Sequence, residues 1–237
     1  MTSNKKIKTK TKNEVNIQNI SGYLSMSFND YIAARILINR NKLIQGCILA
    51  NTAIEKYFKA LMEAQGTKSF GQHDLTKQLP FIKNQYPRIY KKLNIDFLNQ
   101  LTKIYKSRYL DDLPIGYNFA IIQGKYLAEL DFIYSTIEPT IRVQNNTNNN
   151  SKTKYELAVE NKDSDLWTGN YLLNNLEKTV FVEQPCNIQE FRVLPNGVFL
   201  EILYAADTVK NDNIFNYEAL IPSENLKSFN HTHIRIN

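Results

Sequence analysis

The sequence predicts an up-and-down bundle of four to five helices, followed by a small β-rich or α+β unit. Between residues 22 and 140, apolar side chains recur every three to four positions, as on the buried face of a helix. Beyond the polar, asparagine-rich stretch 143–154, apolar and polar residues alternate instead, which is typical of strands. We therefore expect four parts: a disordered basic tail over 1–20, the bundle over 21–140, a linker over 141–154 and a β-rich domain over 155–237.

The central helix of the bundle is predicted over Leu43–Ala64. Its apolar side chains cover most of the circumference, and Gly66 offers a left-handed cap after its end. Glu55, Lys59 and Glu63 lie four residues apart, so they form one narrow polar ridge on this helix. These charges also keep the apolar run shorter than the roughly 18 to 20 residues that a membrane span requires.

The other helices follow the same apolar spacing. The polar connection before Leu43 is so short that the helix preceding it must pack antiparallel to the central one. A loop separates the central helix from the next helix, which is expected to begin at His73, and a second loop covers Leu110–Tyr117. The remaining predicted helices span Tyr23–Asn39, Asp96–Tyr109 and Phe119–Ile137.

The clearest feature of the C-terminal part is a hairpin within Ile188–Tyr204. The dipeptide Asn196-Gly197 stands between two apolar runs, and this pair is the strongest short hairpin signal. Further strands are expected at Thr179–Glu183, Phe215–Ile221 and His231–Ile236, with a short helix at Trp167–Leu176.

The charge is unevenly distributed over a chain whose net charge is +6. Residues 1–140 are basic and residues 141–237 are mildly acidic, so the front half suits a polyanion such as a nucleic acid. The alternative is a solubilising tail on a mildly basic helical domain. With only Cys47 and Cys186 there is no disulfide framework, and the lysine-rich start lacks the apolar core of a signal peptide. We expect a cytoplasmic protein with no membrane contact.

Three sequence elements in order resemble the HEPN domain family. Residues 50–61 read ANTAIEKYFKAL, similar to the central-helix pattern of that family. His73-Asp74-Leu75 stands where the family commonly carries H-x-L, and Arg108-Tyr109-Leu110-Asp111 resembles its R-Y-x-D element. The resemblance covers about residues 22–140 and implies a helical bundle, often dimeric, that binds nucleotides or RNA. It also implies a place among ribonuclease toxins, toxin–antitoxin or phage-defence systems, or partners of a nucleotidyltransferase.

The nuclease members of the family carry an arginine followed, after four to six residues, by a histidine. None of the three histidines, His73, His231 and His233, has an arginine at that spacing. Lys68 stands before His73, but a lysine cannot present the planar fork that arginine offers a phosphate. We therefore expect a nucleotide- or RNA-binding module without nuclease activity. Two alternatives stay open: a defence- or toxin-type ribonuclease with an atypical site at His73 and Arg108, and a dimerisation or scaffold protein that partners another subunit.

The candidate ligand-binding residues converge on one groove if the bundle forms as predicted. Lys59 and Arg108 would contact phosphates, Tyr109 would stack on a base, and His73 would be a switchable donor near neutral pH. The structural alternative is an ion pair between Glu55 and Arg108, a helix cap at His73 and a loop held by the adjacent aspartates. The full predicted set is Glu55, Lys59, His73, Arg108, Tyr109 and Asp111.

No metal or cofactor is expected from the sequence. His231 and His233 would share one strand face, but a metal site needs at least a third ligand, and Cys186 is the sole nearby thiol. The sequence also lacks a glycine-rich phosphate loop and the paired carboxylates of a nucleotidyltransferase. A homodimer, or a protein partner bound through the C-terminal domain, is the expected assembly.

Overall fold

The computed structural model describes residues 12–67, 74–142, 152–210 and 215, with side chains from residue 17 onward. In this part of the chain a helical N-terminal region is followed by a small antiparallel sheet. The helices are α1 (Lys12–Asn39), α2 (Leu43–Ala64), α3 (Leu79–Gln85), α4 (Pro87–Tyr90), α5 (Ile95–Lys106), α6 (Gln123–Ile137), α7 (Lys154–Glu160), α8 (Ser164–Trp167) and α9 (Lys178–Val182). The strands are β1 (Asn118–Ile122), β2 (Cys186–Val193) and β3 (Phe199–Ala206).

The first two helices form a tight antiparallel hairpin, as the short connection predicted. Asn41 closes the turn with a φ of 60°, a left-handed conformation that asparagine tolerates. Ser27 Oγ donates to the carbonyl of Ala53 at 2.8 Å near the middle of the hairpin. α2 has the predicted bounds, and it is followed by Gly66 at a φ of 68°. Most of α2 is buried, so it is the central helix that its composition predicted.

α1 is longer than predicted because it begins at Lys12 rather than near Tyr23. Residues 12–20, which were expected in the disordered tail, are helical, whereas residues 1–11 lie outside the described residues. Extending a helix that is already packed costs little, since each added residue brings one new hydrogen bond. The polar composition of residues 12–20 therefore did not prevent them from forming the first turns of this helix.

The predicted helix at Phe119–Ile137 is wrong at its start, because residues 118–122 form β1. A short apolar run fits a buried strand as well as a helix, and the choice depends on a partner far along the sequence. That partner is β2, which pairs antiparallel with β1 on one side and with β3 on the other. The predicted hairpin around Asn196-Gly197 is confirmed as β2 and β3, with Gly197 at a φ of 75°.

Two predictions between the linker and the hairpin are wrong. Thr179–Glu183, expected as a strand, lies mostly within helix α9. The expected helix at Trp167–Leu176 is replaced by turns, because Gly169 and Asn175 adopt positive φ values of 65° and 53° that interrupt a helix. The predicted strands after residue 215 lie outside the described residues.

One apolar core runs through the described residues from α1 to Phe215. The ring of Phe119 on β1 stacks on Phe191 of β2 at 5.2 Å, and the Phe215 ring meets Phe97 of α5 at 5.2 Å. The sheet is therefore attached to the helices through β1 and shares their core. The boundary predicted at 141–154 stays a prediction about how the chain is divided.

Candidate polyanion-binding surface

Glu55 and Lys59 of the polar ridge of α2 are buried against α5 instead of facing a groove, whereas Glu63 at its end is half-buried. Asn51, Glu55 and Lys59 follow one another on the same face, and their exposures are only 0, 1 and 8%. Lys59 Nζ forms an ion pair with Glu55 Oε1 at 2.6 Å. On the facing helix, Thr102 Oγ1 donates a long hydrogen bond of 3.5 Å to Asn51 Oδ1. The ridge is thus a polar seam between the two helices.

The pairing of Glu55 with Lys59 solves an electrostatic problem. An unpaired charge inside a helix interface would lose its hydration without compensation, which costs several kcal/mol. The lysine four residues on neutralises the carboxylate from the same helix face. The ion pair between Glu55 and Arg108 of the structural alternative is not seen among the described residues, where Glu55 pairs with Lys59.

Tyr105 of α5 connects the buried seam to the surface. Its side chain is nearly buried, and burial is the main cause that raises its pKa. Arg108 opposes this shift, while Glu55 adds to it, so the tyrosine senses charges on both sides. The predicted residues Glu55 and Arg108 thus both lie close enough to this ring to influence its pKa.

Arg108 and its two tyrosines form an exposed platform just past the end of α5. The guanidinium carbon lies 4.3 Å from the ring centroid of Tyr105 and 5.2 Å from that of Tyr109. Arg108 Nη2 also donates to the hydroxyl of Tyr109 at 2.9 Å. Tyr109 is 51% exposed, which is unusual for so large an aromatic side chain. Cation–π contacts fix the planar fork of the arginine while its remaining N–H groups stay accessible.

The structure brings neither of the two remaining predicted site residues, Asp111 and His73, into a described contact with Arg108. Asp111 is exposed in the short 3-10 turn Leu110–Asp112, and its carboxylate makes no ion pair with any residue that the structure describes. His73, like His231 and His233, lies outside the described residues. The helix cap that His73 would provide in the structural alternative is supplied by Asp74, whose carboxylate accepts from Thr76 N at 3.0 Å.

A basic surface around α5 was missed in the sequence. The stretch from residue 75 to 110 contains one acid, Asp96, and eight basic residues: Lys77, Lys83, Arg88, Lys91, Lys92, Lys103, Lys106 and Arg108. All except Lys103 are exposed, and Lys103 is half-buried. Among the described residues, Arg88, Lys91, Lys92 and Lys106 have no ion-pair partner. The near absence of acids over this length was the sequence signal that could have revealed it.

Helix α5 connects the two ends of this surface. Lys91 and Lys92 precede its first turn, and Arg108 follows its last. Lys103 and Lys106 lie three residues apart on α5, where Lys103 is half-buried and Lys106 is exposed. A helix of 12 residues is about 18 Å long, so the cations follow an extended path. We call this set, from Lys91 to Arg108 with Tyr109, the α5 basic surface.

The described residues contain neither a metal-binding cluster nor a membrane-spanning helix. No group of three or more metal-ligating side chains lies close enough together there to hold an ion. No described helix is long and apolar enough to cross a bilayer. The two cysteines, Cys47 and Cys186, are free thiols.

Comparison with known proteins gives one match. Residues 20–128 match the family model of the HEPN domain, a module associated in general with nucleotides and RNA. No curated protein and no solved structure matches the chain significantly. The match covers α1 to the first part of α6, including the buried seam and the α5 basic surface, and it excludes β2 and β3. The chain therefore contains a HEPN domain at residues 20–128, as its central-helix pattern indicated.

Proposed function

We propose that this HEPN domain binds single-stranded RNA, or nucleotides as its minimal ligands, through the α5 basic surface and does not cleave the strand. The observation that carries the proposal is the exposed Arg108 guanidinium held between the rings of Tyr105 and Tyr109. A fixed planar cation beside an exposed ring offers a phosphate two parallel hydrogen bonds and offers a base a stacking surface. The neighbouring Lys103 and Lys106 extend the same positive charge along α5.

The length of the surface favours a strand over a single nucleotide. Its cations are spread along about 18 Å of helix, farther than one phosphate group reaches. Positively charged tracks with interspersed aromatic rings are how proteins hold single strands without reading their sequence. We therefore expect affinity that falls with salt and depends little on base sequence.

The buried seam contributes by holding the surface in place. Because Lys59 pairs with Glu55 and is only 8% exposed, we assign it a structural part in the site instead of a phosphate contact. Asp111 stands three residues after Arg108 in an exposed turn, where its negative charge limits the surface at that end. Neither residue is expected to touch the strand.

Binding of a labelled single-stranded RNA of about 20 nucleotides, followed by fluorescence anisotropy, tests the proposal. Arg108→Ala should weaken binding about 10-fold, since a stacked base or charge-assisted contact contributes about 1 to 3 kcal/mol. Arg108→Lys keeps the charge but loses the planar stack, so its affinity should fall between the two. Lys162→Asn is the control: it removes a distant exposed charge at a position whose φ of 51° asparagine adopts readily.

The same samples distinguish binding from cleavage. We expect the RNA to remain intact on a denaturing gel, because the arginine-to-histidine spacing of the nuclease members is absent. Cleavage by the wild-type protein that disappears in both Arg108→Ala and His73→Ala would replace this proposal with the atypical ribonuclease. Equal affinity of Arg108→Ala and the wild type would remove the assigned surface.

We also propose that the protein forms a homodimer. Among the described residues, β3 pairs only with β2, and its outer side chains Phe199 and Leu203 are 42 and 51% exposed. An apolar edge strand is an association site unless it is covered. Light scattering should give twice the mass of one chain, and Leu203→Lys should reduce it to one. A wild-type monomer would contradict the dimer.

We further propose that the RNA-binding protein acts in the cytoplasm, within a toxin–antitoxin or phage-defence system.

A further inference from the structure

Two adjoining cavities lie beside the helical bundle, away from the α5 basic surface. The inner cavity, of about 330 Å³, is open to solvent and is lined by residues of α1, α2, α6 and the start of α7. The outer one, of about 480 Å³, lies between the end of α6 and α7. Glu138, Lys152 and Tyr155 line both, so the two are parts of one depression. Its volume suits one small molecule, because ligand pockets begin near roughly 300 Å³.

The inner cavity has aromatic walls that are already fixed in place. Tyr134 stacks on Tyr31 at 4.0 Å, and the ring of Tyr155 is tilted against it at 5.9 Å. Tyr57 approaches Tyr134 edge-on at 6.0 Å, and its hydroxyl donates to the Glu138 carbonyl at 2.8 Å. Tyr57 and Tyr134 are buried, with exposures of 2 and 1%, and they hold the half-buried ring of Tyr155 in place. Tyr155 can therefore offer an apolar face to a planar molecule at little ordering cost.

The wall formed by residues 152–155 is also held firmly. Thr153 caps α7: its hydroxyl accepts from Glu156 N at 3.1 Å, and the Glu156 carboxylate accepts from Thr153 N at 2.8 Å. Lys154 Nζ donates to Asn29 Oδ1 of α1 at 3.2 Å. Within the described residues the Tyr155 hydroxyl has no hydrogen-bond partner, so a polar group of a bound molecule can reach it.

The charges of the inner cavity favour an anion, whereas Glu156 and Glu160 line only the outer one. Among the described residues Glu138 is the single acid lining the inner cavity, and Thr153 and Arg142 Nη1, the latter at 3.6 Å, interact with its carboxylate. Lys152 has a side-chain exposure of 56%, and its described ion-pair partner is the equally exposed Glu160 at 2.6 Å. Exposed pairs of this kind contribute little, so the ammonium can turn to an incoming anion at slight cost. Lys154 adds a second cation to the same lining.

From this geometry we propose that the depression binds a small planar aromatic anion, with its ring against the half-buried ring of Tyr155 and its carboxylate or phosphate at Lys152 and Lys154. The site is separate from the α5 basic surface. Tyr57 comes two residues after Glu55, which is about 200° around α2, and Tyr134 to Tyr155 lie beyond the HEPN match. Binding here therefore does not depend on RNA binding.

Isothermal titration with two matched pairs of probes tests the site on the full-length protein. Indole-3-acetate is compared with indole-3-ethanol, and adenosine monophosphate with adenosine. At least one anion should bind about 10-fold more tightly than its neutral counterpart, a difference of about 1.4 kcal/mol. Removing both cations in Lys152→Ala/Lys154→Ala should abolish that preference. The two pairs distinguish an aromatic carboxylate from a mononucleotide, and either result supports the site.

Two variants probe the location from opposite sides. Tyr155→Leu removes the ring shared by both cavities, and Ser25→Phe fills the inner cavity from α1; each should weaken the anion at least about 10-fold. Arg108→Ala should leave indole-3-acetate binding unchanged, and any adenosine monophosphate binding that it removes belongs to the α5 basic surface. The single tryptophan, Trp167, donates Nε1–H to the carbonyl of Val159 in the outer cavity at 3.3 Å, so unchanged emission shows that a variant keeps its α7 packing.

Three outcomes would overturn the proposal. In the first, neither anion binds the wild type at about 5 mM, a concentration that detects even very weak sites. In the second, each anion binds no better than its neutral counterpart. In the third, correctly folded Tyr155→Leu and Ser25→Phe bind as well as the wild type, which places the anion elsewhere.

Discussion

Arg35 and Asp131 form an ion pair whose side chains are both inaccessible to solvent. Tyr31 donates to the same carboxylate at 2.7 Å, and Arg35 Nη2 donates to the carbonyl of Thr168 at 2.6 Å. One guanidinium thereby joins α1 to α6 and to the end of α8. Burying both charges costs desolvation energy, so the pair contributes little to the net free energy of folding. Its main effect is to fix how these elements pack against one another.

Removing one partner of this pair should be far worse than removing both. Arg35→Ala leaves the carboxylate of Asp131 buried without its cation, and we expect a loss of about 3 to 5 kcal/mol in the free energy of unfolding. The double variant Arg35→Met/Asp131→Leu should lose much less, since no charge is left uncompensated. Urea denaturation measures both. A single variant no less stable than the double variant would contradict this account.

Glu138 gives the protein a specific dependence on pH. Burial raises the pKa of its carboxyl group, although a hydrogen bond from Thr153 and the charge of Arg142 oppose the shift. Between the ordinary value of about 4.3 and the raised value, the folded protein holds more of this proton than the unfolded chain does. This contribution to stability is therefore present at low pH and is lost as the pH rises through that window.

Glu138→Gln removes the ionisable group and should remove its part of the pH dependence. Urea midpoints of the wild type and variant, measured from about pH 4 to 7, should diverge, with the wild type losing stability relative to the variant as the pH rises. Two parallel curves would show that the carboxyl group has the same pKa in both states.

At the scale of single residues, spacing along a helix predicted neighbours but not their surroundings. Glu55 and Lys59 were expected side by side, and they are. Their burial was not expected, because it depends on α5 covering the ridge, which no local pattern reveals. The stacking of Arg108 on Tyr105 and Tyr109 likewise requires the chain to turn just after α5.

Helices α1 and α2 approach most closely around Gly46. A Cβ atom at this position would lie 2.4 Å from Ile38 Cγ1, 3.0 Å from the carbonyl oxygen of Ala34 and 3.1 Å from Ile38 N. The side chain could rotate away, but the two backbone atoms cannot move without separating the helices. This glycine therefore sets the distance between the two longest described helices.

Gly46→Ala should destabilise the protein by about 1 to 3 kcal/mol, the usual cost of overpacking. Gly22→Ala is the matched control, since a Cβ at Gly22 of α1 meets nothing within 4 Å. The control should gain up to about 1 kcal/mol, because alanine favours a helix more than glycine does. Thermal unfolding compares the two. A stable Gly46→Ala variant would mean that the helices can separate freely.

At the scale of elements, long periodic segments were predictable and short apolar ones were not. The bounds of α2 follow from its composition, and the β2–β3 hairpin follows from Asn196-Gly197. By contrast, Phe119–Ile122 and Lys178–Val182 are too short for periodicity to decide between helix and strand. Phe119–Ile122 forms a strand because it pairs with β2. Lys178–Val182 forms helix α9, which packs against α6 through a small apolar cluster that contains Val182 and Ala128.

The whole molecule combines a recognised module with segments that complete it. The HEPN match ends at residue 128, inside α6, yet the core continues through α7, α8 and β2 to Phe215. β2 covers the edge of β1 that would otherwise be open, and Arg35 anchors the end of α8. The described later segments thus complete the core, while the side chains of the α5 basic surface other than Lys103 are exposed.

The distribution of charge could be predicted only coarsely from the sequence. The basic character of residues 1–140 was evident, but the position of the cations relative to α5 was not. Which lysines remain without a partner depends on which acids fold near them, and the seam removes Lys59 from the available set while leaving Lys106 exposed. Because the unpaired cations lie around α5, a modest net charge of the chain gives a locally basic surface there.

The salt dependence of RNA affinity tests this surface most directly. Each phosphate contact on a single strand contributes about 0.7 to the slope of log affinity against log salt concentration. The triple variant Lys91→Gln/Lys92→Gln/Lys106→Gln should therefore bind more weakly than the wild type at low salt, with a slope smaller in magnitude by about 2. The single variant Lys162→Asn should keep the wild-type slope. An identical slope in the triple variant and the wild type would contradict the α5 basic surface as the place where the strand binds.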